Sequence, residues 1–475
     1  MCPIRQIHRH VAFAIFLGGC IMSTVSTAQE RQVTFSAKNH NLDNNDNFSP
    51  DQRYLCYDTR EMIGPGLDNC QSIEKVEIAT GIETVLYQPA KTLTGEKCAP
   101  GLGAASYHPV FDKVAFIHGP PLDQVDARGY YGKPNRNGAE VAADGSRRLT
   151  WLDDRDVDTT RPTLPGAHRG GTHRHEYTLD GKRIGFTYDD FLRPEYARTI
   201  GYMEPRADAP VGASHYFCVL VRPARTGESK PGEIESAYGD SWIGRHGLMR
   251  AFIGKVRAAN GIDYEESLFV VDVPADIDIA TARAGSASEY PTPPTGLRVR
   301  RLTHTNAAGV VRGTVQGDRI AYYAEDANGK KQIFVIASDG SDQDADPAKR
   351  PVQLTHFPDG AGPGVRWHPS GDAIACTYNG AIAVVCAKPG PHLGETALLT
   401  PEDNSAPRAE LVWSPDGALF AYVRAVPTYD ADGNRVKTYA GKDCQQIFVM
   451  PCQGPGETAR KPGVSKSAVG PSASS

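Results

Sequence analysis

The stretch Gly364-Val-Arg-Trp-His-Pro-Ser-Gly-Asp-Ala-Ile-Ala-Cys-Thr-Tyr378 decides the fold, because its pattern returns along the whole chain. An aromatic residue ends one strand, a turn rich in Pro, Asp and Gly follows, and an alternating apolar strand leaves the turn. The other copies are Phe48–Tyr57, Tyr107–Phe116, Tyr177–Phe186, Trp413–Tyr422 and a weaker one at Val315–Tyr322. Repeated units of four short strands predict an all-β fold, a single β-propeller.

A second repeated pattern counts the blades. Each unit ends in a short outer strand. Most of these strands combine basic and apolar residues and finish in Thr. Seven such strands lie around Arg31–Phe35, Glu83–Tyr87, Arg147–Trp151, Tyr216–Val221, Arg298–Thr303, Pro351–Thr355 and Ala397–Thr400. We therefore predict seven four-stranded blades. The fourth, from Trp242 to Thr303, lacks the Pro-Asp-Gly turn, so six blades and an insertion remain the alternative count.

The two ends of the chain predict how the ring closes. The strand around Arg31–Phe35 precedes any inner strand, whereas the last unit stops after its third strand, Gln445–Met450. An unpaired strand edge at each end would invite aggregation. We predict that the N-terminal strand completes the last blade.

The first 28 residues have the pattern of an export signal. Arg5 and Arg9 precede an apolar run that is too short to span a membrane, and Ser26-Thr-Ala28 is a small-residue cleavage site. Leu17-Gly-Gly-Cys20 also resembles a lipoprotein cleavage box, although the apolar run continues past Cys20. We predict a signal peptide at 1–28, or a lipoprotein signal ending before Cys20. The protein is then periplasmic or secreted, or lipid-anchored if Cys20 is acylated.

The remaining chain is predicted as one propeller domain, 29–453, followed by a disordered tail, 454–475, rich in Pro, Gly, Ser, Lys and Ala. The net charge of −5 gives no reason to expect a nucleic-acid partner. We expect a monomer without a transmembrane span. Of the eight cysteines after Ala28, only Cys56, Cys70 and Cys98 lie near loops where a disulfide could form.

Histidines are concentrated in the second to fourth blades. In a propeller, the loops that enter the inner strands share one face of the disc with the loops between second and third strands. We predict that polar residues in these connections form one histidine-rich channel mouth. The candidate ligand-binding residues are His118, Arg169, Asp189, His215, Trp242 and His246.

His173 and His175 are the candidate metal ligands. Residues two apart on a strand point to the same side, so both imidazoles can converge on a divalent ion such as manganese. Arg169 would then bind an anionic group, and Arg174 and Glu176 would face the seam between blades. The alternative interpretation is that these histidines hydrogen-bond loop carbonyls.

Short phrases distributed along the chain carry a family resemblance. They include Phe116-Ile-His118-Gly-Pro, Arg169-Gly-Gly-Thr-His173-Arg-His175, Phe186-Thr-Tyr-Asp189, Ser214-His215, Trp242-Ile-Gly and Arg300-Arg-Leu-Thr. Through these phrases nearly the whole mature chain resembles the YidR-type family of TolB-like proteins, and the repeats resemble those of TolB-type propellers. More distantly the fold is similar to that of oligogalacturonate lyases, and His173-x-His175 is similar to the His-x-His pair at their manganese site.

Two classes of function remain open at this stage. In the first, the protein binds a small acidic ligand or oligosaccharide, and the lyase resemblance implies metal-dependent β-elimination on a polyuronate. In the second, it is a non-catalytic scaffold for protein partners in the cell envelope. The clustering of His, Arg and Asp favours ligand binding. The sequence contains no recognisable catalytic base, which leaves its status as an enzyme open.

Overall fold

The structure is a computed structural model that describes residues 29–43, 45–61, 71–304 and 306–452. Within these ranges the chain forms six four-stranded antiparallel sheets, one three-stranded sheet and a small hairpin. The predicted signal at 1–28, Cys70 and the predicted tail at 454–475 lie outside the described residues. No helix in the described part is both long enough and apolar enough to cross a membrane.

The seven larger sheets are the blades of a propeller, and the strands of the blades and of the hairpin are numbered together, β1 to β29, along the chain. Blade 1 contains β2 (Tyr54–Asp58), β3 (Ile73–Glu77) and β4 (Glu83–Tyr87); blade 2, β5 (Leu102–Tyr107), β6 (Lys113–His118), β7 (Asn137–Ala142) and β8 (Leu149–Trp151); blade 3, β9 (Gly170–Tyr177), β10 (Ile184–Asp190), β11 (Thr199–Pro205) and β12 (His215–Val219). Blade 4 contains β13 (Ile234–Ile243), β14 (Met249–Arg257), β15 (Tyr264–Asp272) and β16 (Arg298–Arg301); blade 5, β17 (Ala307–Gly313), β18 (Arg319–Glu325), β19 (Lys331–Ala337) and β20 (Val352–Gln353). Blade 6 contains β21 (Arg366–Trp367), β22 (Ala373–Tyr378), β23 (Ala381–Cys386) and β24 (Thr396–Leu398); blade 7, β25 (Arg408–Trp413), β26 (Leu419–Ala425), β29 (Gln445–Pro451) and β1 (Arg31–Gln32).

A few short elements lie in the connections. In blade 1 the innermost segment pairs with β2 only through the bridges Asn41–Asp58 and Phe48–Leu55. The remaining elements are the hairpin β27 (Thr428–Tyr429) and β28 (Arg435–Val436), the helical turn α1 (Val125–Arg128), and 3-10 turns at Gly95–Lys97, Leu122–Gln124, Ile279–Thr281 and Pro347–Lys349.

The hydrophobic core is divided among the seams between blades. Each of the seven clusters of buried apolar side chains draws on two adjacent blades. The cluster between blades 7 and 1 includes Val33 from the N-terminal segment, next to Leu55 and Ile447. Every blade therefore buries both of its faces against a neighbour, as a closed ring requires.

Hydroxyl groups explain the repeated turn. The Ser414 hydroxyl donates to Asp416 Oδ1 at 2.6 Å and accepts from the Leu419 N–H at 2.9 Å. Ser49 and Thr178 make the equivalent pair of bonds in blades 1 and 3. The aspartate and the hydroxyl thus fix the geometry that starts the second strand.

The Thr residue at the end of most outer strands also has a structural role. The Thr400 hydroxyl accepts a hydrogen bond from the Ile382 N–H of the third strand at 2.9 Å. Thr303 and Thr355 do the same in blades 4 and 5. This hydrogen bond extends the pairing between the outer strand and the third strand past the last of their backbone hydrogen bonds.

The N-terminal strand closes the ring as predicted. β1 pairs antiparallel with β29, with Arg31 opposite Val449. The Thr34 hydroxyl accepts from the Ile447 N–H at 2.8 Å and donates to Gln446 Oε1 at 2.7 Å. Thr34 occupies the position that Thr400 has in blade 6, so the first strand of the chain is the outer strand of the last blade.

The count of seven blades is confirmed, and blade 4 begins earlier than predicted. Its inner strand β13 starts at Ile234, and the whole strand was missed because the Pro-Asp-Gly turn that marks the other blades is absent. The Cys56 thiol is buried and accepts from Asn47 Nδ2 at 3.9 Å. It therefore behaves as a small core residue in this structure.

We expect Thr34→Val to destabilise the ring. The change keeps the shape but leaves the buried Ile447 N–H without an acceptor and Gln446 without a donor, which costs about 1–3 kcal/mol of unfolding free energy. Urea denaturation measures this. The control is Thr150→Val, an exposed outer-strand position in blade 2. Equal stability of the two variants would contradict this account of the closure.

Candidate functional site

One opening of the central channel lies where the inner strands end. We call it the vestibule, a cavity of about 570 Å³ with contributions from all seven blades. Its wall includes one residue at or near the end of each inner strand, namely Phe48, Tyr107, Tyr177, Trp242, Val315, Trp367 and Trp413. The aromatic residue of the repeated phrase therefore has a second role, because it forms the wall of the channel mouth.

A narrow, charged section of the channel, the neck, adjoins the vestibule. Its cavity measures about 10 Å³, enough for about one water-sized group. It is lined by Asn45, Asp46, Ser106, Arg174, Glu176, Asp240, Arg250, Arg312 and Arg366. Four of these residues also line the vestibule, so the two spaces are continuous.

Arg250 organises one side of the neck. Its guanidinium is buried and donates from Nε to Asp240 Oδ2 at 2.6 Å and from Nη1 to Glu176 Oε2 at 3.0 Å. It also lies over the Trp242 ring, 4.7 Å from the centroid. A Cβ atom at Gly185 would lie only 1.9 Å from Nη1, so the absence of a side chain there makes room for the guanidinium.

The other side of the neck is more positive. Arg366 pairs with Asp46. Burial, together with the nearby charges of Arg174 and Arg366, lowers the pKa of Arg312 to about 9. With four arginines and three carboxylates, the neck carries a net positive charge in a region of low dielectric.

A bulge in β9 turns Arg174 toward the neck. His173 pairs with Thr187 and Glu176 with Gly185, so that two residues face one across the ladder, and Arg174 has a φ of 54°. The predicted alternation across 173–176 is therefore broken. Arg174 and Glu176 line the neck, which corrects the prediction that they face the seam between blades.

The same distortion recurs around the ring. Left-handed residues also lie three positions before the aromatic position at Ala104, Gly239, Gly364 and Glu410. Those at Ala104, Gly239 and Glu410 each lie in a register shift of the inner strand. Sequence reasoning missed these bulges. Glycine signals a bulge at Gly239, but Ala104, Arg174 and Glu410 carry no such signal.

Indole groups connect the vestibule wall to the neck. Trp242 Nε1 donates to the Glu176 carbonyl at 3.1 Å, and Trp367 Nε1 donates to the Arg312 carbonyl at 2.9 Å. In each pair the acceptor lies in the preceding blade. Trp413 repeats the contact with the carbonyl of Arg366, at 3.4 Å. The backbone of the neck is thus hydrogen-bonded to the aromatic wall across the seams.

The predicted metal ligand His173 lies on the opposite side of the propeller, in a closed network. Its Nδ1 accepts from Arg136 Nη1 at 2.8 Å, and its Nε2 lies 2.7 Å from Asp189 Oδ2. Arg198 also donates to this carboxylate, at 2.6 and 2.9 Å. Both ring nitrogens are engaged, one of them by a cation.

The second predicted ligand does not join this network. His175 Nε2 lies 3.0 Å from the Thr172 hydroxyl, so the two imidazoles share no hydrogen-bond partner. No set of three or more His, Cys, Asp or Glu side chains in the described part of the chain is arranged to hold a metal ion. His173 and His175 are therefore not arranged as the predicted binding site for a divalent metal ion.

The six predicted ligand-binding residues are not brought together. His118 lies at the end of β6 and contacts Tyr87, while Arg169 is buried and donates to the Thr163 hydroxyl. Asp189 belongs to the His173 network described above. These three lie at the edge where the inner strands begin.

The other three lie at the opposite edge. His215 pairs across the ladder with Pro205, near the turn edge of blade 3, and His246 is exposed beside Asp180. Only Trp242 lines the vestibule. The sequence-based reasoning grouped these connections together, but a four-stranded meander alternates its connections between the two faces.

Fold and channel define this protein as a seven-bladed β-propeller. It is 32% identical over 424 residues to the "Uncharacterized protein YidR" of Escherichia coli (strain K12), across 83% of this chain and 94% of that protein. The chain therefore belongs to the YidR family. The family described as "Protein of unknown function (DUF3748)" matches residues 101–209, which cover blade 2 and the first three strands of blade 3.

Several solved structures are similar in fold. TolB from Acinetobacter baumannii is 13% identical, with a TM-score of 0.33 over 62% of this chain and 51% of that chain. Oligogalacturonate lyase in complex with manganese is 10% identical, with a TM-score of 0.34 over 76% and 94%. The β-propeller domain of Cps50 (Swd1) from Myceliophteria thermophila is 11% identical, with a TM-score of 0.45 over 90% and 100%. At these identities the likeness concerns the fold alone.

Buried histidines predict that acid destabilises the fold. Burial lowers the pKa of His173 to about 3 and that of His118 and His215 to about 4, from 6.5. Between about pH 6.5 and pH 4 these histidines bind protons in the unfolded chain but not in the folded protein. The free energy of unfolding therefore falls as the pH falls through this range. Each imidazole contributes about 1–2 kcal/mol of this loss between pH 7 and pH 5.

Urea denaturation at pH 7 and pH 5 tests this with His215→Asn, which keeps an amide near Ser214 but does not titrate. We expect the loss of stability between the two pH values to shrink by about 1–2 kcal/mol. The control is the same change at the exposed His392. An unchanged pH dependence in His215→Asn would refute the assignment.

Proposed function

We propose that this protein binds a small acidic ligand, such as an acidic oligosaccharide, in the vestibule, with a ligand carboxylate reaching the arginines of the neck. The observation that supports the proposal is the excess of one guanidinium over the carboxylates that line the neck, which is continuous with the vestibule. A volume of about 570 Å³ is in the usual range for small-molecule sites.

The surroundings of Arg312 indicate where the anion would lie. Arg312 lines both the neck and the vestibule, and the nearby Arg174 and Arg366 charges disfavour its protonated form. A carboxylate placed beside Arg312 would relieve this repulsion and form charge-assisted hydrogen bonds.

The proposal is limited to binding. Among the described residues that line the neck and the vestibule, the titratable groups are arginines, carboxylates and the phenols of Tyr107 and Tyr177, without a histidine. No β-elimination step and no metal is assigned to this site. The predicted export signal places this binding outside the cytoplasm, in the periplasm or beyond it.

Binding of trigalacturonate, compared with the neutral cellotriose, tests the proposal by calorimetry. We expect the acidic trisaccharide to bind more tightly, and Arg312→Gln to weaken its binding by about tenfold or more, because one charge-assisted contact is lost. The exposed Arg298→Gln is the control for loss of a positive charge.

Equal binding of the acidic and neutral sugars, or undiminished binding by Arg312→Gln, would exclude the neck as the anion site. If no small acid binds while envelope proteins are retained by the wild type, the scaffold hypothesis replaces the proposal.

A further inference from the structure

A second cavity, the rim cleft, lies at the outer part of blades 3 and 4 and has a volume of about 490 Å³. Its walls come from four connections and from Tyr216 in β12. The connections are the segment between β8 and β9, the loop between β10 and β11, the segment after β12, and the long connection between β15 and β16. It shares no lining residue with the neck or the vestibule. Any ligand of the rim cleft is therefore separate from a ligand of the channel.

The lining of the rim cleft is strongly positive. Arg193, Arg222, Arg225 and Arg283 face a single lining carboxylate, Glu289, although the chain as a whole has a net charge of −5. On so small a surface the four guanidinium groups repel one another, because one carboxylate cannot neutralise them all. A bound anionic ligand would reduce this repulsion.

Carboxylates that do not line the cleft partly neutralise two of these arginines. Arg193 pairs with Glu195 at 2.6 Å, and Arg225 lies 3.9 Å from Glu228. Arg222 and Arg283, both exposed, form no ion pair with any carboxylate in the described part of the chain. Arg283 donates from Nε to the Thr292 hydroxyl at 3.3 Å, which directs the rest of its guanidinium without neutralising it.

Stacked tyrosines form a flat surface beside these charges. The rings of Tyr196 and Tyr290 are 4.4 Å apart with an interplanar angle of 27°. Tyr290 is buried, whereas Tyr196 is partly exposed and lines the cleft. Arg225 donates to the Tyr196 hydroxyl at 3.4 Å, and its hydrogen bond, with Arg222 nearby, holds the pKa of that phenol below its usual value.

We propose that the rim cleft is a binding site for a small molecule that carries a phosphate group next to a planar ring. The guanidinium groups of Arg222 and Arg283 bind the phosphate oxygens, and the ring stacks against Tyr196. Guanidinium groups bind phosphate through paired, charge-assisted hydrogen bonds, and an aromatic face binds a flat ring. The inference is independent of the proposed channel ligand.

Phenyl phosphate is the probe, with inorganic phosphate and phenol as its two halves, titrated calorimetrically into the wild-type protein at low salt. We expect phenyl phosphate to bind more tightly than either half. Arg222→Ala/Arg283→Ala should weaken binding by about 100-fold, because two charge-assisted contacts are lost. Arg222→Lys/Arg283→Lys should recover only part of this loss, because the paired geometry is missing.

Two controls separate the rim cleft from other sources of positive charge. Arg53→Ala/Arg148→Ala removes two exposed arginines from blades 1 and 2, and Arg312→Gln alters the channel. Both should bind phenyl phosphate like the wild type. If phenyl phosphate fails to bind the folded wild type at millimolar concentration, or binds the cleft variant and the wild type equally, the proposal is overturned.

Discussion

Closure of the ring by the first strand is the constraint on which the rest of this structure depends. The channel exists only because all seven seams are packed, and the seam between blades 7 and 1 joins the two ends of the described chain. Thr34 holds β1 on β29 through bonds that involve Ile447 and Gln446. A blade that lost this strand would expose an edge and loosen its contact with blade 1, so the residues of the neck would no longer be held in a closed circle.

The chemistry of the channel arises from local departures from ideal strands. In a regular strand, successive side chains point alternately to the two sides of the sheet. A left-handed residue before the aromatic position breaks this alternation and redirects the side chains that follow. At Arg174 this redirection adds a guanidinium to the neck. Arg250 reaches the same space from a second strand, because Gly185 leaves room for it. The positive charge of the neck therefore comes from more than one layer of the blades.

The sequence predicted the fold well, because each blade repeats the same turn chemistry and the turns are local. It missed the start of blade 4, because the inner strand β13 ends at Ile243 without the marking turn. The candidate site was predicted poorly for two physical reasons. Which face a histidine reaches depends on the direction of its connection, so His173 and His215 are on opposite edges. Apart from Trp242, the aromatic residues were interpreted only as signatures of the repeat, although they also form the wall of the vestibule.

The indole hydrogen bonds between blades have an evolutionary consequence. Trp242, Trp367 and Trp413 donate to the main-chain carbonyls of Glu176, Arg312 and Arg366, and none of these bonds involves a side chain of the neck. A mutation that exchanges one neck side chain for another leaves the acceptor in place. Assembly of the ring and the chemistry of the neck are thus encoded by different atoms of the same residues, so related propellers can change the side chains that line their channel while they keep the same contacts between blades.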